Sequence, residues 1–436
     1  MNFCPICGAK FLGGKFCLNC GSDLSKYISV LGLSTESCDS SAKSIKQDIN
    51  ELDEAFKLAV KQKQQELLDR QKEEEKRLEQ EKINEQKRLE QEQQEKERQK
   101  QLEIEKQERF KNRFKIYGAV LTKYDGEEVV VTIPNGVQYI GEGCFESNKF
   151  IKSVILPASL IKIDARAFKN CSNLESVLFS GGCNEISNEA FSDCVKLSGI
   201  VLPSNLTYIG GRAFYQCKEL ERINIPSNVT EIFDFTFACC SKLNSVNKLY
   251  NLTKIGEGAF IECSFESFYF SSKLKEIGSR AFSFCKNLKE IDCPTELEIK
   301  SGAFEHCTSL EMVKLPGYMK TISMNCFNGC VNLSKIILPF DLENISRESF
   351  KGCINLTKIN LPPTVKTIGK DAFRDCTHIK NVYFDELRLV EDGAFYNTNI
   401  KEVTLPTRCI YKKNRVKDGS HFNEPSFPVD CEITIK

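Results

Sequence analysis

The phenylalanines constrain this chain more than any other feature. From Phe145 they recur at Phe168, Phe191, Phe214, Phe237, Phe260, Phe282, Phe304, Phe327, Phe350, Phe373 and Phe395, always 22 or 23 residues apart. Self-similarity at a fixed period of this size marks a solenoid, whose units bury their apolar faces only by stacking on one another. Five residues before each phenylalanine stands an isoleucine, from Ile140 to Ile368, with Val390 in the last unit. Five or six residues after it comes an apolar residue such as Leu174, Leu197 or Leu220, and then a short run ending in Leu-Pro or Ile-Pro, as in "LSGIVLPSNL". The L-x-x-I-x-L run reads as a strand with its apolar positions inward, and the proline, which lacks an N–H, ends it. The A-F-x-x-C stretch then turns the chain back. In "IGGRAFYQCKEL" this places Ile209, Phe214, Cys217 and Leu220 inward, and Gly210, Arg212, Gln216 and Lys218 outward.

Ten cysteines share the position three after the phenylalanine, from Cys171 and Cys194 to Cys353 and Cys376. Stacked rungs would set them about 4.8 Å apart. The reading favoured by that geometry is a column of small buried hydrophobes, a role free cysteine fills well. Disulfides between rungs are allowed by Cα spacing, but parallel side chains aim poorly at one another. A metal array would need thiolates converging on one point.

The wording of the unit, "LP…I…AF..C", resembles the BspA-like leucine-rich repeat over residues 128–406. The resemblance implies a right-handed solenoid with a parallel sheet on its concave side, and a binding surface made by the outward residues of that sheet. Mapped onto this sequence, that surface includes Arg222, Asn224, Tyr269, Glu290 and Asp292. It continues through Met312, Lys314, Lys335, Lys358, Asn360 and Tyr383. The first and last units carry Asn148 and Thr398 in place of cysteine, as suits rungs where a stack ends and meets water. The stretch "NLTKIGEGAFIECSFESFYFSSKL" loses a residue and its proline, so an irregularity is expected near 263–272. Residues 117–133 read as an N-terminal cap, with Asp125-Gly126 as the turn of a hairpin, residues 134–408 as about twelve repeats, and residues 409–436 as an irregular C-terminal cap.

Two further regions precede the array. Residues 1–27 carry Cys4, Cys7, Cys17 and Cys20 in two C-x-x-C-G pairs. Four thiolates at this spacing suit tetrahedral zinc, and a four-cysteine site is closed, hence structural. The segment resembles a small zinc ribbon; two disulfides or a redox pair are the alternatives. After a linker at 28–40, residues 41–116 are almost entirely Glu, Lys, Arg and Gln without Pro or Gly between 41 and 115, which predicts a helix of roughly 110 Å. Ile45, Ile49, Leu52, Phe56 and Ala59 alternate at spacings of four and three, a coiled-coil pattern that makes residues 45–68 a candidate homo-oligomer contact. Beyond it Leu67, Leu78 and Leu89 recur every eleven residues, which drifts away from a left-handed seam. A coiled coil, a lone charged spacer helix and a disordered segment all remain open here. Pairs such as Glu66/Arg70, Glu73/Arg77 and Glu92/Lys96 would support the helix.

The chain is thus read as a leucine-rich repeat solenoid preceded by a long helix and a Cys4 zinc ribbon. Its 436 residues balance 60 Lys+Arg against 60 Asp+Glu, so global charge points neither to nucleic acid nor to an anionic membrane. Its three histidines, His306, His378 and His421, are unclustered, and no phosphate-binding glycine loop or Ser/His/Asp set appears. No apolar run long enough to span a membrane occurs. The start "MNFCPICGAK" lacks a basic-then-apolar signal. A cytoplasmic location follows as the expectation, where the 22 cysteines stay reduced. The function expected is a non-enzymatic scaffold that binds a protein partner on the concave face, with zinc as its structural cofactor. A surface adhesion protein and a nucleic-acid-linked regulator acting through the ribbon are the alternatives.

Overall fold

The computed structural model describes residues 42–413, 416–418 and 421–436. The four-cysteine segment (Cys4, Cys7, Cys17, Cys20) and the linker at 28–40 lie outside the described residues. The chain divides into two compact units, with the boundary between Gln107 and Glu108.

The first unit contains most of one helix, Ala42–Arg113. It stops three residues before the expected 116 because Phe114–Tyr117 pairs as a strand. Leu67, Leu78 and Leu89 are exposed along it. Ion pairs among its described residues include Lys63–Glu66, Arg77–Glu81 and Glu85–Arg88; none of the three pairs anticipated from the sequence is among them. These contacts are exposed and worth a few tenths of a kcal/mol each.

The second unit is a parallel solenoid. Most rungs contribute two strands, though the L-x-x-I-x-L segments at 357–360 and 380–383 do not form one. The L-x-x-I-x-L segment pairs with its equivalent one rung on, as Ser153–Leu156 does with Ser176–Phe179. The segment before the turn forms a second ladder, in which Ile140, Ile163, Ile186 and Ile209 stand in register. Between the two, the proline carbonyl accepts from the N–H three residues on, as Pro203 O does from Leu206 at 3.1 Å.

The phenylalanine turn is built differently. The residues two before and two after each phenylalanine have positive φ: Arg166 and Asn170 around Phe168, Arg212 and Gln216 around Phe214. Their N–H groups point along the stack, so Arg166, Phe168 and Asn170 donate to Asn188, Ala190 and Ser192 of the next rung at 3.0, 2.8 and 2.7 Å. The intervening N–H groups of Ala167, Lys169 and Cys171 donate three residues back within the rung. Each left-handed non-glycine residue costs about 1–2 kcal/mol, and in return every N–H from Arg166 to Cys171 finds a partner without a strand. Gly210, expected outward, is instead buried against the backbone of Ser187 and Asn188.

The phenylalanine rings stack with centroids 4.7 Å apart (Phe145–Phe168) to 5.7 Å (Phe304–Phe327). The stack does not stop at the repeats. Tyr124 and Phe114 extend it at the N-terminal end, and Phe427 stacks on Phe395 at 5.1 Å. The C-terminal segment is therefore a further coil: Ile410–Tyr411 and Glu432–Ile435 pair in parallel with Leu389–Val390 and Glu402–Leu405. The N-terminal hairpin joins Phe114–Tyr117 to Val120–Tyr124. Its turn lies at Gly118, where φ is +60°, and not at Asp125-Gly126 as expected. The irregular rung near 263–272 has a single bridge, Ser267 to Glu290, on this face, and fills its interior with Phe265, Phe268 and Phe270 packed around Phe260 and Phe282.

Candidate partner-binding face

Along the L-x-x-I-x-L sheet burial alternates residue by residue, because one pleat faces the core and the next faces out. Ile223, Ile291 and Val313 are buried while Arg222, Asn224, Glu290, Asp292 and Lys314 are exposed beside them. Tyr269, Lys335, Lys358, Asn360 and Tyr383 are exposed too, and Met312 is half-buried. Register joins Glu290, Asp292, Met312, Lys314 and Lys335 on one sheet, Arg222 lies on a two-stranded sheet before it, and Lys358, Asn360 and Tyr383 lie on later rungs that form no strand there.

This face is graded along the stack. At its N-terminal end Leu178 and Val201 are exposed in one column, and Val130 is exposed in the other, where it is followed by Ser153, Ser176 and Gly199. These residues sit in the same two columns as those singled out from the sequence. Their signal was aliphatic side chains at an outward strand position, where solvent alone would favour polar ones. Midway, Asn247 turns its amide into the sheet: its Oδ1 accepts from Ile225 N–H at 2.7 Å and its Nδ2 donates to Ile225 O at 2.8 Å. Toward the C-terminal end Ile337 and Tyr383 are exposed among lysines, and Tyr318 and Phe340 meet edge-on at 5.5 Å on the adjacent corner.

The recurring cysteines belong to the interior. Each of the ten thiols donates to the carbonyl of the phenylalanine one rung back, at 3.0 Å for Cys171 and Phe145 and 3.3 Å for Cys217 and Phe191. The same contact recurs through Cys376 and Phe350 at 3.0 Å. Cysteine suits the position because it is small and apolar yet carries one donor. Burial pushes the thiols of Cys171, Cys285 and Cys330 up to about 12 and those of Cys194, Cys217 and Cys307 well above the ordinary value. Such thiols are poor nucleophiles and poor ligands. Among the described residues no three His, Cys, Asp or Glu side chains converge as a metal site. His306 packs against Phe284 with ring centroids 4.7 Å apart, and His378 Nδ1 lies 2.8 Å from Ile354 O and 3.4 Å from the Thr377 hydroxyl. No described helix is long and apolar enough to cross a membrane.

The profile of the BspA type leucine-rich repeat region matches residues 127–234, 207–317 and 297–418. The chain belongs to the BspA-type leucine-rich repeat family. Its BspA-type solenoid is similar to that of a leucine-rich repeat protein from Bacteroides ovatus, at 24% identity and a TM-score of 0.53, over 74% of this chain and 96% of that one. It is also similar to a leucine rich cell surface protein from Faecalibacterium prausnitzii, at 26% identity and a TM-score of 0.48, over 65% and 89% of the two chains. The pneumococcal vaccine antigen PcpA matches at 19% identity and a TM-score of 0.49, over 74% and 90%. No curated protein matches the chain.

Proposed function

We propose that this BspA-type chain is a non-enzymatic scaffold whose L-x-x-I-x-L sheet face holds a protein partner. One observation carries the reading: outward strand positions bear large apolar side chains, with Val201 75% and Tyr383 80% exposed. A solenoid needs no apolar group there for folding, and exposed aliphatic and aromatic groups in one column favour protein contact. The test places a photo-crosslinking side chain in the full chain at Leu178, Tyr269 or Tyr383, and separately at Lys196 or Lys218 outside that face. Crosslinked protein is expected from the first set alone. Equal crosslinking from both sets refutes the reading.

The N-terminal segment is proposed to hold one structural zinc through Cys4, Cys7, Cys17 and Cys20, supported by the paired C-x-x-C-G spacing. Metal analysis of the purified chain should find zinc that Cys4→Ser with Cys7→Ser removes; a zinc content unchanged by these substitutions refutes it. Residues 45–68 are proposed as a homo-oligomer contact, supported by the four-and-three spacing of Ile45, Ile49, Leu52 and Phe56. Sedimentation of the full chain before and after Leu52→Glu with Phe56→Glu tests it, and an unchanged mass refutes it. A reducing, cytoplasmic setting is the proposed location, in keeping with a column of thiols that each act as donors.

A further inference from the structure

We propose that three consecutive rungs of this face, 334–337, 357–360 and 380–383, bind an acidic polypeptide segment that carries an apolar anchor. The proposal rests on the sheet-face reading above and names the chemistry of the partner. It comes from how the lysines of this face are paired. Lys152 meets Glu175 at 3.3 Å, Lys289 meets Glu266 at 2.8 Å, Lys314 meets Asp292 at 2.9 Å, and Lys401 meets Asp430. Each partner lies on an adjoining rung. Lys335, Lys358 and Lys380 have no such carboxylate among the described residues. The outward positions of their three rungs contain these lysines and no Asp or Glu; Glu311 stands before them and Glu402 after.

At the neighbouring repeat positions a carboxylate faces the lysine, as Glu175 faces Lys152 and Asp292 faces Lys314, so the fold can supply one on this face, whereas Lys335 faces Met312. Lys335 and Lys358 occupy the same position on neighbouring rungs, with Lys380 one residue earlier on the next; rungs lie about 4.8 Å apart, and like charges that close repel. The solenoid gains nothing from that repulsion, whereas a ligand bearing carboxylates gains a positive surface already assembled. Ile337 and Tyr383 stand exposed beside the lysines, with the Tyr318–Phe340 pair on the adjacent corner. Apolar groups interleaved with unpaired ammonium groups suit a polypeptide with both acidic and apolar side chains. A phosphate backbone would use only the charge.

The experiment measures fluorescence anisotropy of the full chain with a short labelled peptide of glutamates flanking two leucines, at low and high salt. The peptide is expected to bind and to weaken as salt rises. Replacing all three lysines (Lys335→Gln, Lys358→Gln, Lys380→Gln) should weaken binding about tenfold, since three exposed charge pairs are lost. Ile337→Ser with Tyr383→Ser should weaken it too, while Lys196→Gln, Lys218→Gln and Lys286→Gln should leave it unchanged. Far-UV circular dichroism of each variant verifies that the fold is kept. Absence of binding, indifference to the lysine triple, or equal competition by a short oligothymidylate overturns the proposal. Crosslinks from Leu178 or Tyr269 that survive the lysine triple, together with peptide binding indifferent to it, overturn this assignment alone. Crosslinks no stronger at this face than elsewhere overturn both readings.

Discussion

The thiol column makes the protein labile to alkali in a calculable way. Burial raises the pKa of nine ladder cysteines, Cys171, Cys194, Cys217, Cys240, Cys263, Cys285, Cys307, Cys330 and Cys353. In the unfolded chain the same thiols ionise near their ordinary value of about 8.5. Below that value the thiol is neutral in both states and the column contributes its full stability. Above it only the unfolded chain loses protons, so stability falls as pH rises, by about 1.4 kcal/mol per pH unit for each thiol. For nine thiols the loss is roughly 8 kcal/mol at pH 9 and about 18 kcal/mol at pH 10. A typical domain has only about 5–15 kcal/mol to lose. Unfolding followed by far-UV circular dichroism should therefore occur in a narrow window between about pH 9 and 10, with thiolate absorbance rising in the same step. Other groups also titrate there, and a variant separates them. Replacing Cys194, Cys217 and Cys240 by Ala removes three donors, so the variant should be less stable at neutral pH, yet the stability it loses between pH 9 and 10 should fall by a third, from roughly 10 to roughly 7 kcal/mol. Thiolate absorbance that rises while the dichroism stays native would refute the buried column. So would a pH dependence of stability indifferent to the three substitutions.

Three further outcomes follow from the packing. Phe214→Ala breaks a ring stack whose neighbours lie 5.5 and 5.4 Å away, and should cost about 3–5 kcal/mol in urea unfolding; a loss under about 1 kcal/mol would mean the ring is not a packed rung. Asn247→Ala strands the N–H and C=O of Ile225 and should cost about 1–3 kcal/mol, with faster hydrogen exchange at the Ile225 amide as the local readout. Tyr124→Ala opens the first face of the ring stack beside Phe145, so the N-terminal rungs should lose exchange protection before the rest.

Much of this was legible in the sequence because the decisive interactions repeat. A spacing of 22 or 23 residues between phenylalanines fixes which residues share a rung position. Whatever is inward once is inward in every unit, so Ile209, Phe214, Cys217 and Leu220 were readable together. The left-handed residues around each phenylalanine left a fainter trace, in glycines at 143, 258, 302, 329, 352 and 393. Arg, Glu and Phe fill the same places elsewhere, so the trace was no pattern. Phe427 escaped because its coil carries extra residues between Tyr411 and Phe427, which breaks the period although the ring still stacks. The hairpin turn was misplaced for a related reason: Asp125-Gly126 has turn residues, but the stacking of Tyr124 on Phe145 holds that segment within the first coil.

By itself, then, the sequence determined the period, the inward residues and the presence of a long charged helix, all set by interactions that recur at one spacing. The tertiary structure alone decided what each position meets across the rung. It shows that the cysteine donates to a carbonyl of the preceding unit and that Asn247 replaces a backbone partner. It also shows that Lys314 is neutralised by Asp292 while Lys335, Lys358 and Lys380 are not. Those contacts join residues more than twenty positions apart, so they exist only once the rungs are stacked.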